Sequence, residues 1–313
     1  MARYRLSGFV IQSNVALPEL PPARGTPSHV LELDAAGPTI PDPCWFHHWQ
    51  EKRKRRWLSF ARMPNGYLLR FPSLADFEIT REGSRGALSR IRARPRRGVP
   101  AETIRHLFLD QVWPLVLSGG GRLVIHASAV VLPDGRAVAF AGPAGAGKSS
   151  LAASMALAGC RLVTDDCLLL EKSGRRWRAM PSYPGLRLWP DMLARFASGG
   201  GASDVAHYTS KKRLADSLPF ARGPAPLAAM YVVGRRAARA KVAIAPLAGA
   251  AALMDLVPFT YLLDYRAREH LEGSFARLAA LTTAVPVLRL DVPHALGRLA
   301  EVTDLLTRPS PWY

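Results

Sequence analysis

The chain has 313 residues, 49% of them hydrophobic and 8% aromatic, and carries 42 basic against 24 acidic residues for a formal net charge of +18. That apolar content excludes a disordered chain, and the length leaves room for one large domain or two ordinary ones around a buried core. The basic residues cluster at 52–56, 92–97, 211–213 and 235–236, with no zinc-finger spacing, ribonucleoprotein aromatics or helix-turn-helix beside them. A nucleic-acid partner is therefore not expected, and a basic surface that attracts a nucleotide or an acidic partner is. Cys44, Cys160 and Cys167 form no Cys-x-x-Cys pair, which suits a reducing compartment. The N-terminus alternates like a strand and lacks the apolar core of a signal peptide, and no stretch reaches membrane-spanning length. The expected location is the cytoplasm, without a membrane partner.

Residues 1–100 read as a β-rich domain, a candidate for substrate recognition. Residues 4–12 and 29–33 have strand patterning. Residues 57–62 and 67–71 flank Pro64-Asn65-Gly66 as a hairpin, 76–80 add a strand, and a Gly/Arg-rich turn region follows. His47-His48 between Trp45 and Trp49 has no second ligand cluster and reads as a surface loop pair, not a metal site. Residues 101–313 read as a second, catalytic domain. It opens with a helix over 101–117, interrupted at Pro114 and ended by Gly119-Gly120-Gly121. Strands are expected at 122–132 and 137–141 around a Pro133-Asp134-Gly135 turn. A helix of about eleven residues then runs to Gly159, and a strand over 161–164 leads to Asp165-Asp166. Residues 181–190 read as an irregular loop. Strands at 229–233, 242–245 and 286–291 and helices at 249–257, 266–283 and 294–306 complete a mixed α/β sheet.

Gly142-Pro143-Ala144-Gly145-Ala146-Gly147-Lys148-Ser149 is a complete G-x-x-x-x-G-K-S phosphate-binding loop, set between the expected strand and helix. Glycines let the backbone curl so that its N–H groups point at a phosphate, and the helix N-terminus adds positive dipole. Lys148 then reaches the β- and γ-phosphates and the Ser149 hydroxyl ligates Mg²⁺. The expected nucleotide contacts are residues 142–149 and Ser150.

An eleven-residue helix rises about 16 Å, and a five-residue strand running back covers about the same. Asp165 and Asp166 thus end beside the loop, at the γ end of a nucleotide, where a Mg²⁺ or proton-transfer role is expected. Neighbouring strand residues point to opposite faces, so both serve one site only where the strand bends; otherwise one of them is structural. One holds Mg²⁺ while the other accepts a hydroxyl proton; Asp165 is the metal candidate if Asp166 is the base, and at this point which is which stays open. His126 lies on the strand paired with the loop strand. It reads either as a hydrogen-bonded core residue or as a group that orients the carboxylates or touches the transferring phosphoryl. Arg187, between Leu186 and Leu188, and the run Lys211-Lys212-Arg213 after Gly199-Gly200-Gly201 are further cations. For that run a solvated helix weighs slightly more than a lid over the phosphates.

His126-Ala127-Ser128, the loop 142–149 and the run from Gly159 through Asp165-Asp166 together resemble the catalytic domain of HPr kinase/phosphorylase, over roughly residues 120–195. The resemblance implies a P-loop kinase core of the HPr kinase/phosphoenolpyruvate carboxykinase type. It places the catalytic base on Asp166, the family's histidine on His126, the phosphate lysine on Lys148 and the Mg²⁺ serine on Ser149. The family's glutamate-bearing segment after the Asp-Asp strand is replaced here by Pro181 to Pro190, and its phosphorolysis segment is not recognisable. The chain is more similar to divergent members, some of which phosphorylate serine on ribosomally made peptides such as lasso precursors.

The expected activity is ATP-dependent transfer of the γ-phosphate to a hydroxyl, serine first, of a peptide or small protein, with Mg²⁺. ATP against GTP and a homo-oligomeric state stay open. Two alternatives stand beside it: a small-molecule or carboxykinase-like phosphotransferase, and a nucleotide-dependent binding or scaffold protein without transfer.

Overall fold

Hairpins whose turns tolerate positive φ build the start of the chain. The computed structural model describes residues 1–35, 40–50, 56–82, 87–196, 202–214, 218–236, 241–293 and 295–308. Most of the basic cluster, 52–55, and the glycines 199–201 lie outside the described residues. Residues 4–12 are not one strand. Strand β1 (Ala2–Leu6) and β2 (Phe9–Ser13) form a hairpin, because Ser7 (φ 50°) and Gly8 (φ 86°) both adopt the left-handed conformation of a tight two-residue turn.

Strands β3 (His29–Leu33), β4 (Trp45–Gln50), β5 (Arg56–Met63), β6 (Gly66–Phe71), β7 (Ala75–Glu82) and β8 (Ala87–Pro95) complete an eight-stranded sheet ordered β1-β2-β3-β8-β7-β6-β5-β4. Two expectations are corrected here. The His47-His48 segment is a strand at the sheet end, with His48 Nδ1 2.8 Å from Ser59 Oγ and His47 against Phe60 and Tyr265. Of the expected Gly/Arg-rich turn region, Gly83 and Gly86 lie outside the described residues, and the arginines from 90 to 94 lie in strand β8. Its Arg92 and Arg94, with Arg90, reach across the sheet to Glu32, Asp34, Glu78 and Glu82, so this basic cluster is compensated by acids. Helix α1 (Ala101–Leu107), a π-helical turn (Phe108–Val112) and α2 (Trp113–Gly119) follow. The widened turn comes just before Pro114, which sits in the first turn of α2 where its missing N–H costs little.

These helices belong to the first compact unit, which comprises Met1–Gly121, Ala206–Tyr208 and Leu262–Leu271. The first change of unit falls after Gly121, at the end of the glycine run.

The second unit is Arg122–Val205, Thr209–Tyr261 and Glu272–Tyr313. Its strands are β9 (Leu123–Val131), β10 (Ala137–Ala141), β11 (Arg161–Thr164), β12 (Cys167–Ser173), β13 (Arg176–Met180), β17 (Ala225–Arg236), β18 (Ala243–Leu247) and β19 (Val287–Pro293). A three-stranded sheet of β14 (Leu186–Leu188), β15 (Ala202–Asp204) and β16 (Lys212–Leu214) stands apart. The helices are α3 (Lys148–Leu157), α4 (Pro190–Phe196), α5 (Gly249–Leu256), α6 (Arg268–Ala284), which begins in the first unit, and α7 (Leu299–Thr307).

Strand β10 runs antiparallel to β9 and parallel to β17, which runs parallel to β19. The alternation of β10 explains its complete burial. Val138 and Phe140 enter a core with residues of α3, α4 and α7, while Ala137, Ala139 and Ala141 enter a second core with residues of α5 and α6. A strand covered on both faces must read as a continuous apolar run, as 137–141 does. Two readings fail in this unit: the expected loop 181–190 contains β14, and Lys212 and Arg213 lie in a strand, not a solvated helix. Among the described residues no helix is long and apolar enough to cross a membrane.

Candidate functional site

The loop between β10 and α3 depends on glycine at particular atoms. Gly145 (φ 79°) and Gly147 (φ 100°) are left-handed, and Gly147 is the N-cap of α3. At Gly142 the constraint is space, since a Cβ would come 2.9 Å from Val233 O. At the far end, Cys160 N donates to Met155 O (3.0 Å) and Gly159 N to Ala156 O (3.1 Å), with Gly159 at φ 96°. This paired C-terminal closure fixes where α3 stops and β11 begins.

Lys148 folds back over the loop, its Nζ donating to Gly142 O (2.8 Å) and Pro143 O (3.3 Å). It is 6% exposed. Burial pushes its ammonium down to about 8, with Asp165 opposing that drop and Lys211 and Arg187 adding to it.

Strands β11 and β12 pair with the same edge of β9, Thr164 opposite Ala129 and Cys167 opposite His126. Asp165 and Asp166 therefore occupy a bend that breaks one long strand in two, opposite Ala127 and Ser128. Strand β9 stands between this bend and β10, so the backbone of the bend is two strand spacings, about 10 Å, from that of the loop strand.

The bend sends the two carboxylates to different places. Asp165 is 6% exposed and anchored: its Oδ1 accepts from Ser128 Oγ (3.0 Å), which also donates to Asp165 O (2.7 Å), and its Oδ2 accepts from Arg187 N (2.9 Å). Asp166 faces a cavity of about 490 Å³, whose wall also holds His126, Ala144 to Leu151, Arg187, Leu188 and Trp189. Asp191, Met192, Lys211, Val292, Pro293, Ala295 and Leu299 complete the wall. Asp165 is not part of it, nor are Gly142 and Pro143, whose carbonyls hold Lys148. The carboxylate expected to take Mg²⁺, Asp165, is the one held by Ser128 and the Arg187 backbone outside the cavity wall.

His126 Nε2 lies 3.6 Å from Asp166 Oδ1, and its ring stacks on Tyr261 at 6.1 Å between centroids. Arg187 reaches both acids: Nε is 3.7 Å from Asp165 Oδ2, and Nη2 contacts Asp166 Oδ2. Its place on β14 follows from the pairing of Leu186 with Leu214 and Arg187 with Arg213. The sequence left several members of the site unassigned. Ser128 carried a signal, since it shares a strand face with His126 two residues away. Lys211 was weighed only as part of a basic run, Trp189 became recognisable only with the β14–β16 pairing, and nothing in the sequence marks Tyr261.

Magnesium that arrives with a nucleotide keeps several waters and takes one or two protein oxygens besides the phosphates. The described residues contain no group of three or more His, Cys, Asp or Glu able to cage a metal. Ser149, with Asp191 in the same cavity wall, fits the looser arrangement.

The fold and site define a mixed α/β protein in which a strand–glycine loop–helix element shares one cavity with an acid, a histidine and an arginine. No family model matches the sequence, and no curated protein matches it. Among solved structures the chain is similar to the HPr(Ser) kinase/phosphatase from Coxiella burnetii, with 13% identity over 58% of this chain and 93% of that chain and a TM-score of 0.32. This is a distant likeness of fold, and the site described above stands on its own geometry.

Proposed function

We propose that the protein is an ATP-dependent phosphotransferase that moves the γ-phosphate to a hydroxyl, serine being the expected acceptor, of a peptide or small protein. The observation that carries this reading is the convergence of Ala144–Ser149, Asp166, His126 and Arg187 on one cavity of about 490 Å³. In this reading the loop N–H groups and Lys148 bind the β- and γ-phosphates, and Mg²⁺ held with Ser149 neutralises phosphate charge. The bond from the γ-phosphorus to its bridging oxygen breaks as the acceptor oxygen bonds to phosphorus. Asp166 takes the hydroxyl proton, His126 and Arg187 fix the orientation of its carboxylate, and the nucleoside diphosphate leaves. Asp165 acts from behind, holding the Arg187 backbone and the bend.

Incubation with γ-labelled ATP tests the reading, with label expected on a serine of a peptide acceptor. Asp166→Asn is expected to lower transfer by about 10²-fold or more, the contribution of a positioned base, while ATP affinity changes little. Retained transfer in that variant would remove Asp166 from the role. One observation favours a second reading, nucleotide binding without transfer: Arg187 already engages the carboxylate that must accept the proton. Tight ATP binding without label transfer to any hydroxyl would decide for it.

A further inference from the structure

We propose that Lys211 is a second cation of the phosphate site, delivered from the face of Trp189 to the terminal phosphoryl oxygens. The proposal deepens the nucleotide reading and rests on it.

The register of the small sheet makes the arrangement. Leu188 pairs with Lys212 in the antiparallel β14–β16 ladder, so the preceding residue, Lys211, falls across from Trp189. The Lys211 ammonium lies 5.2 Å from the centre of the Trp189 ring, and both residues line the cavity that holds Lys148, Ser149, Asp166 and Arg187. Lys211 is also close enough to Lys148 for the two charges to repel. Its neighbours in the basic run have contacts of their own. Lys212 Nζ is 2.5 Å from Asp204 Oδ1, and Arg213, 5% exposed, lies over the Tyr183 ring at 5.4 Å.

Trp189 is 50% exposed, and a cation resting on a solvated aromatic face is held more weakly than one bonded to a phosphate oxygen. A terminal phosphoryl group beside Lys148 therefore draws Lys211 off the indole. The long, unbranched stem of lysine suits such a movement, with the charge remaining at the cavity throughout. Since Lys148 is already seated by the loop, Lys211 adds selectivity for a triphosphate over a diphosphate.

The test compares Mg²⁺–ATP and Mg²⁺–ADP binding by calorimetry in the full chain and in Lys211→Met, Lys211→Arg and Trp189→Phe. Lys211→Met is expected to weaken ATP by on the order of 10- to 100-fold, one charge-assisted hydrogen bond, and to leave ADP within about threefold of the parent. Lys211→Arg is expected to recover most of the ATP preference. ATP is expected to change the indole emission of the parent more than that of Trp189→Phe. Equal weakening of ATP and ADP in Lys211→Met, or no weakening of either, overturns the proposal while nucleotide binding stands. Failure of the parent chain to bind either nucleotide overturns both.

Discussion

Lys148→Met is expected to make the protein more stable at neutral pH and, in the proposed reading, to remove phosphate binding. The structure buries this lysine against the carbonyls of Gly142 and Pro143 with two nearby cations, which lowers its pKa from 10.5 to about 8. That difference corresponds to about 3 kcal/mol against the charged form in the folded state. Methionine keeps the stem without the charge, and loss of the shorter hydrogen bond costs about 1 kcal/mol. A net gain of about 2 kcal/mol remains at pH 7. Below about pH 8 the lysine is charged in both folded and unfolded chains, so the penalty is fully present. Between about 8 and 10.5 the folded protein releases its proton first and the penalty fades. The parent therefore gains stability across this window, and the advantage of Lys148→Met shrinks. Urea unfolding of both proteins at pH 7 and pH 10 reads the effect as a difference in midpoint with matched slopes. A variant less stable than the parent at pH 7, or an advantage that does not shrink by pH 10, would refute the reasoning. Calorimetry with Mg²⁺–ATP on the same samples gives the functional cost, so one substitution measures what the site gives up in stability for binding.

Two further substitutions test one position in each unit. Gly147→Ala forces a left-handed N-cap residue to carry a Cβ with nothing within 4 Å of it, so the effect is conformational. A loss of about 1–2 kcal/mol in thermal stability and weaker ATP binding are expected; parent-like affinity would show that the loop conformation is not required. In the first unit, Asp264 is fully buried and accepts from Arg62 (2.7 and 3.0 Å), Tyr67 (3.1 Å) and two backbone N–H groups. Burial pushes its carboxyl up, but these donors, Arg62 first, bring it below the usual range. Asp264→Ala is expected to cost about 3 kcal/mol by leaving a buried donor set unmatched, discounted because Arg62 is half exposed. The carboxylate's share of parent stability is present above the ordinary aspartate pKa and lost as pH falls through the lowered one. A pH titration of unfolding checks this, and a parent-like acid limb in Asp264→Ala would remove Asp264 from that role.

What the sequence made legible was the chemistry that is local in the chain. The loop 142–149 could be read because the need for glycine at 145 and 147 and for lysine at 148 lies within one strand-to-helix turn. The hairpin at 64–66 and the glycine end of α3 were legible for the same reason. The segments that escaped are held by distant partners. Strands β4, β14 and β16 have no strong pattern of their own, and a short polar run becomes a strand only when another strand pairs with it. The run Gly119-Gly120-Gly121 did carry the change of unit, but as sequence it signals only where a helix stops.

The two aspartates show why residue identity alone cannot assign the site. As neighbours they share composition, spacing from the loop and distance from His126, so no sequence argument separates them. The separation comes from Ser128, opposite the bend, and from the backbone of Arg187 on a strand more than twenty residues away. Together these engage both oxygens of Asp165 and leave Asp166 turned to the cavity. Arg187 then does two things with one residue: its N–H fixes the buried acid, and its guanidinium reaches the acid in the cavity. A cavity carboxylate placed this way is oriented by the fold through its neighbour. The effect of Asp165→Asn should therefore appear in the position of Asp166 and β14, with the cavity wall itself unchanged in composition.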